Sequence, residues 1–103
     1  MLERDYQAQL VKKLRKMFPD CVILKNDSDY MQGVPDLTIL FGSRWAMLEV
    51  KVSINAPSQP NQAFYVKQLN KMSFAAFICP EIEEDVLREL QRALQPRRSA
   101  RVS

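Results

Sequence analysis

Pro35-Asp36-Leu37-Thr38-Ile39-Leu40-Phe41-Gly42-Ser43-Arg44-Trp45-Ala46-Met47-Leu48-Glu49-Val50-Lys51 reads as two strands joined by a minimal turn. Asp36 to Phe41 and Trp45 to Val52 are rich in β-branched and large apolar residues, and Gly42-Ser43 is the Gly-X pair of a two-residue type II′ turn. Such a turn sets Phe41 opposite Arg44 and, counting back, Asp36 opposite Glu49. Side chains alternate along a strand, so Asp36, Glu49 and Lys51 share one face. Directly opposed residues hold their Cβ atoms ~5 Å apart, and like charges at that distance destabilise a sheet. A divalent cation between the two carboxylates is the simplest reason to keep them, since Mg²⁺ takes oxygen ligands at ~2.0–2.1 Å and retains several waters. The Lys51 ammonium on the same face is suited to orienting or deprotonating a water, or to offsetting charge on a phosphoryl group.

The flanks supply the other elements. Residues 3–18 carry a helical apolar stripe through Tyr6, Leu10, Leu14 and Met17, with Glu3 at its middle and therefore directed inward. Pro19-Asp20 stops that helix, and Cys21 to Leu24 follows as a short strand of buried type. Asn26 to Gly33 and Ser53 to Pro60 are loops. A second helix spans about Gln59 to Met72 with Ser58 as its N-cap, and Gln62 falls in its inward stripe with Tyr65, Val66, Leu69 and Met72. Phe74 to Cys79 is a fourth strand, and Ile82, Val86, Leu87, Leu90 and Leu94 mark a last helix with an acidic start. The order α-β-β-β-α-β-α predicts an α/β fold with a mixed four-stranded sheet flanked by helices. Glu3 and Gln62 thus join the carboxylate pair as polar groups where the pattern calls for apolar ones, and such violations concentrate at functional sites.

With 103 residues, 47% hydrophobic and 26% charged, the chain makes one globular domain over residues 1–95 and a basic tail over 96–103 that reads as disordered. The absence of histidine excludes histidine general bases, Ser-His-Asp triads and the usual zinc sites. Cys21 and Cys79 fall in apolar strand runs as core thiols and cannot build a disulfide framework. No apolar run reaches the ~18–20 residues of a membrane span, and the first residues lack a secretory pattern, so the expected compartment is the cytoplasm. By analogy alone, a small stand-alone domain of this kind suits a bacterial or phage-infected cell. A net charge of +3 leans toward polyanionic partners.

These residues carry a resemblance. Gly33-Val34-Pro35-Asp36 followed by Leu48-Glu49-Val50-Lys51 resembles the PD-(D/E)xK nuclease signature. The glutamate of the leading helix and the Gln62 helix after the lysine make the whole similar to its VRR-NUC branch, near the archaeal Holliday junction resolvases. The likeness covers residues 3 to about 90, including SFAAFICPEIEEDV at 73–86. It departs at Lys25-Asn26-Asp27-Ser28, where the resolvases tend to carry an arginine and a Gly-Ser pair. The resemblance implies a restriction-endonuclease-like core and a DNA endonuclease selective for structures such as flaps or four-way junctions. It implies Mg²⁺ or Mn²⁺ held by Asp36, Glu49 and the Val50 backbone carbonyl, with Glu3 on the metal or a water beside it. Lys51 becomes the catalytic lysine and Gln62 a support. Lys25, Asn26, Lys67, Lys71, Arg97 and Arg98 are the candidate DNA contacts. A chain this small gains reach as a twofold homodimer, for which Phe64 and Trp45 are exposed apolar candidates.

Plainer readings stand beside this one. Asp36 after proline suits a strand start, Glu49 and Lys51 suit an exposed strand pair, and Glu3 suits the dipole of a helix start. Two other classes of function remain open: a catalytically silent nucleic-acid-binding module on the same fold, and a small protein-interaction domain.

Overall fold

Gly42 turns the chain at φ +61°, and Ser43 stays outside the left-handed region, which is the φ pattern of a type II′ turn. The turn fixes the register of β2 (Leu37–Phe41) against β3 (Arg44–Val50), from Phe41 opposite Arg44 back to Leu37 opposite Leu48. A computed structural model describes residues 1–96 of the chain; Arg97, Arg98 and the rest of the basic tail lie outside the described residues. β1 (Val22–Lys25) pairs antiparallel with β2, and β4 (Phe74–Ile78) pairs parallel with β3, giving one sheet in the order β1-β2-β3-β4. A parallel pair needs a crossover, which is supplied by α2 (Pro60–Met72). With α1 (Glu3–Met17) and α3 (Glu83–Leu94) the element order and class are those expected from the sequence.

Strand alternation divides the work between the two faces. Ala46, Leu48 and Val50 of β3 join Leu37, Ile39 and Ile78 in the core beneath α1 and α3, against Leu10, Leu14, Phe18 and Leu90. Tyr6 Oη donates to Glu83 Oε1 at 2.8 Å, and Lys13 pairs with the same carboxylate, tying α1 to α3. The opposite face of β3 presents Met47 and Glu49, and α2 lies over this side on β3 and β4. No helix among the described residues is long and apolar enough to cross a membrane.

Several expectations need correction. The first strand is an exposed edge rather than a buried strand: α2 lies over β3 and β4, so Val22 and Leu24 of β1 remain open to water. Gln59 rather than Ser58 sits at the N-cap of α2: its backbone carbonyl accepts the Gln62 N–H at 3.0 Å, while the Gln62 side chain reaches back to accept the Gln59 N–H at 2.9 Å. Met72, placed in the inward stripe, is 64% exposed at the helix end. The last helix begins at Glu83, after a 3₁₀ turn at Pro80–Ile82. Cys79 is buried and Cys21 half-buried, both as free thiols.

The loop before β2 docks on α2 through one glycine. Gly33 holds φ +91°, and a Cβ there would lie 2.3 Å from the Asn61 Cβ in the first turn of α2. Gly33→Ala is therefore expected to destabilise the fold by at least ~2 kcal/mol, from backbone strain and displacement of the helix start. For a domain this size that corresponds to a fall of roughly 10 °C in melting temperature. An unchanged thermal melt would remove this contact from the account.

Candidate active site

The hairpin register delivers Asp36 just ahead of β2 and Glu49 near the end of β3. Asp36 Oδ2 accepts the Val50 N–H at 2.8 Å, so this carboxylate closes the open end of the hairpin as well as facing the site. Glu49 is 2% exposed. Its Oε2 accepts from Gln62 Nε2 at 2.9 Å and lies 3.7 Å from Lys51 Nζ. Its Oε1 is, among the described residues, the one buried side-chain polar atom without a hydrogen-bond partner. Burial, and then the neighbouring charge of Asp36, push the Glu49 carboxyl up to about 8, with Lys51 pulling the other way.

Gln62 organises the group. Its Oε1 accepts from Lys51 Nζ at 2.9 Å and from the Gln59 N–H at 2.9 Å, while its Nε2 serves Glu49. The amide is thereby oriented: a carboxylate needs the donor end and an ammonium the acceptor end. Lys51 Nζ also donates to the Pro57 carbonyl at 3.2 Å, which ties the loop after β3 to the site. Gln62→Leu keeps the side-chain volume near its present value but strips Glu49 of a donor and Lys51 of an acceptor. The expected loss is ~1–3 kcal/mol of stability. Cleavage, on the function proposed below, should fall by ~10–100-fold, as for residues that orient metal ligands. Wild-type melting and wild-type rate together would show that the amide merely fills space.

Glu3 departs from its expected burial, not from its expected direction. It lies in the first turn of α1 beyond Tyr6, and it is exposed rather than buried in the core. It still feels the site: partial desolvation and the charge of Asp36 raise its carboxyl, and Lys51 offsets part of that. Among the described residues no three or more Asp, Glu, Cys or His side chains group closely enough to hold a metal between them. The available donors are therefore the oxygens of Asp36 and Glu49, with backbone carbonyls and water making up the remainder. Such a set fits Mg²⁺ or Mn²⁺, which favour carboxylate, carbonyl and water oxygens; Mg²⁺ is usually held by only one or two carboxylates and keeps several waters. Glu49 Oε1 is an oxygen with free capacity for it.

The outlying candidates separate. Lys25, Lys67 and Lys71 are exposed, as phosphate contacts require, whereas Asn26 spends its Nδ2 on the Pro35 carbonyl at 2.8 Å and Thr38 Oγ1 at 2.9 Å. Phe64 is 61% exposed, and Trp45 is half-buried. The Pro57 carbonyl and the Gln59 cap were not singled out in the sequence, and only the Ser-Gln-Pro run before α2 hinted at a cap there. Compared with family models, curated proteins and solved structures, the chain matches none.

Proposed function

We propose that this chain is a Mg²⁺- or Mn²⁺-dependent nuclease that hydrolyses DNA phosphodiester bonds. The observation that carries the reading is a carboxylate, Glu49, withdrawn from water with one oxygen unanswered beside Asp36 and Lys51. A buried carboxyl crowded against a second carboxylate costs the fold, and a cation held between the two would offset that cost. Asp36, Glu49 and the Val50 carbonyl would hold the cation, with Glu3 at the rim. When bound, the cation supplies charge neutralisation at the scissile phosphate and an acidified water. Lys51 stabilises the charge that develops on the phosphoryl oxygens, and Gln62 holds both Lys51 and Glu49 in place. Exposed Lys25, Lys67 and Lys71, with Arg97 and Arg98 of the tail, contact flanking phosphates and set register without reading sequence. A twofold dimer would place two such sites on two strands.

A second reading has one observation in its favour. Lys51 Nζ already has Pro57 and Gln62 as acceptors, which suits a catalytically silent nucleic-acid-binding module. Incubation with labelled linear, flapped, single-stranded and four-way DNA, with and without Mg²⁺ or Mn²⁺, separates the two. Metal-dependent cleavage of any of these supports the nuclease. Binding with no cleavage under either metal overturns it in favour of the silent module.

A further inference from the structure

A cavity of about 240 Å³, lined in part by Lys51, opens between the loop after β3 and the end of β4. It lies beyond the carboxyl ends of the two parallel strands. Its walls are mainly apolar, from Phe77, Ile54, Ala56 and Ile82, with the hydroxyl-bearing Ser53 and Ser58 among them. The loop that forms one wall is held by Glu81, whose Oε1 accepts the Ile54 N–H at 3.1 Å. Phe77 is the register partner of Glu49 across β3 and β4, so an aromatic residue of this cavity stands one strand away from the buried carboxylate.

We propose that this cavity receives one unpaired nucleobase of the strand under attack, stacked on the Phe77 ring, while the adjoining phosphate lies at Lys51 and Glu49. The inference rests on the nuclease reading and narrows its substrate. The volume falls below the ~300–1,000 Å³ of pockets for drug-sized molecules and suits a single ring system. An aromatic wall with a few hydroxyls accepts any base by its π-face, which gives stacking without sequence preference. Lys51 belongs to both the cavity and the site, so base and phosphate of one nucleotide can be held together. A base still paired in regular duplex must first be unstacked, and that cost is least where the strand is already single or distorted. The cavity therefore selects flaps, junctions and single strands over continuous duplex.

The test uses the full chain and single-stranded oligonucleotides carrying one 2-aminopurine, titrated in chelator so that no cleavage is needed. Withdrawal of 2-aminopurine from its stacked neighbours into the cavity relieves their quenching and raises its emission. Phe77→Leu removes the ring and keeps an apolar side chain, while Ala56→Leu narrows the cavity from the loop, where the fold is less exposed to damage. Each is expected to weaken binding about 5- to 150-fold, the range that one base–aromatic stack is worth. An abasic nucleotide in place of 2-aminopurine should weaken wild-type binding to the same degree and leave Ala56→Leu little affected. Emission that does not rise on binding, or equal affinities for abasic and intact strands on wild type, overturns the proposal. Cleavage assayed separately distinguishes the two readings. A rise in emission without cleavage under Mg²⁺ or Mn²⁺ keeps the base site and removes the nuclease; cleavage that ignores the abasic substitution keeps the nuclease and removes the base site.

Discussion

Glu49→Gln should abolish metal-dependent cleavage and at the same time straighten the pH profile of stability. The first effect follows from the loss of an anionic oxygen ligand, and it should exceed the ~100-fold that residues merely supporting a ligand can cost. The second follows from burial. The free carboxyl titrates near 4.5, whereas in the fold it holds its proton up to about 8. Between those values the unfolded chain has released a proton that the native chain keeps, so stability declines as pH rises. The slope from this group approaches ~1.4 kcal/mol per pH unit, and the decline ends above the folded value. Glutamine has no such proton. The melting temperature of the variant should therefore gain on wild type from pH 4.5 to about 8 and run parallel outside that window. Metal-free melts across pH measure this without any substrate. Parallel profiles throughout would show that the carboxylate is solvated, and full cleavage by the variant would sink the metal-site assignment.

Lys51→Ala is the second large effect, an expected ~10²–10³-fold loss in kcat, typical of removing one group aimed at developing charge. The ammonium also pulls the Glu49 carboxyl downward, so its removal should move the Glu49 titration midpoint above about 8. Carboxyl NMR reads that shift directly. Mn²⁺ affinity, measured well above that midpoint so that protonation does not compete, should be equal to or higher than wild type, because a positive charge beside the cation is gone. Lys51→Arg should not restore the rate, since a planar guanidinium cannot take both the Pro57 and Gln62 acceptors from the ammonium's position. If the alanine variant stops binding Mn²⁺ under those conditions, the lysine is structural.

What the sequence disclosed followed from local rules. A two-residue Gly-Ser turn has little freedom, so the pairing of Leu37 with Leu48, and the approach of Asp36 to Glu49, could be counted along the chain. Gln62 stood out as a polar group on an apolar helix stripe, and it does face inward to Glu49. Glu3 obeyed the same periodicity and misled, because periodicity gives a direction around the helix but not where the covering sheet ends. Val22 and Leu24 failed for a similar reason: an apolar strand looks alike whether a helix covers it or not, and α2 lies over β3 and β4. The parallel register that sets Phe77 beside Glu49 depends on the crossover through α2, which no local signal encodes.

The hairpin carries a consequence for how this chain can vary over evolutionary time. Along β3, odd positions face α2 and the candidate site and even positions hold the core, so the strand behaves like text with a reading frame. A single-codon insertion between Leu37 and Val50, unless absorbed as a bulge, would exchange Glu49 for Leu48 on the site face and bury the charge under α1 and α3. The segments at 27–34 and 53–59 carry no such frame. Length drift among descendants should therefore collect in those two loops, while the interval from Asp36 to Lys51 stays constant in length even where its letters change.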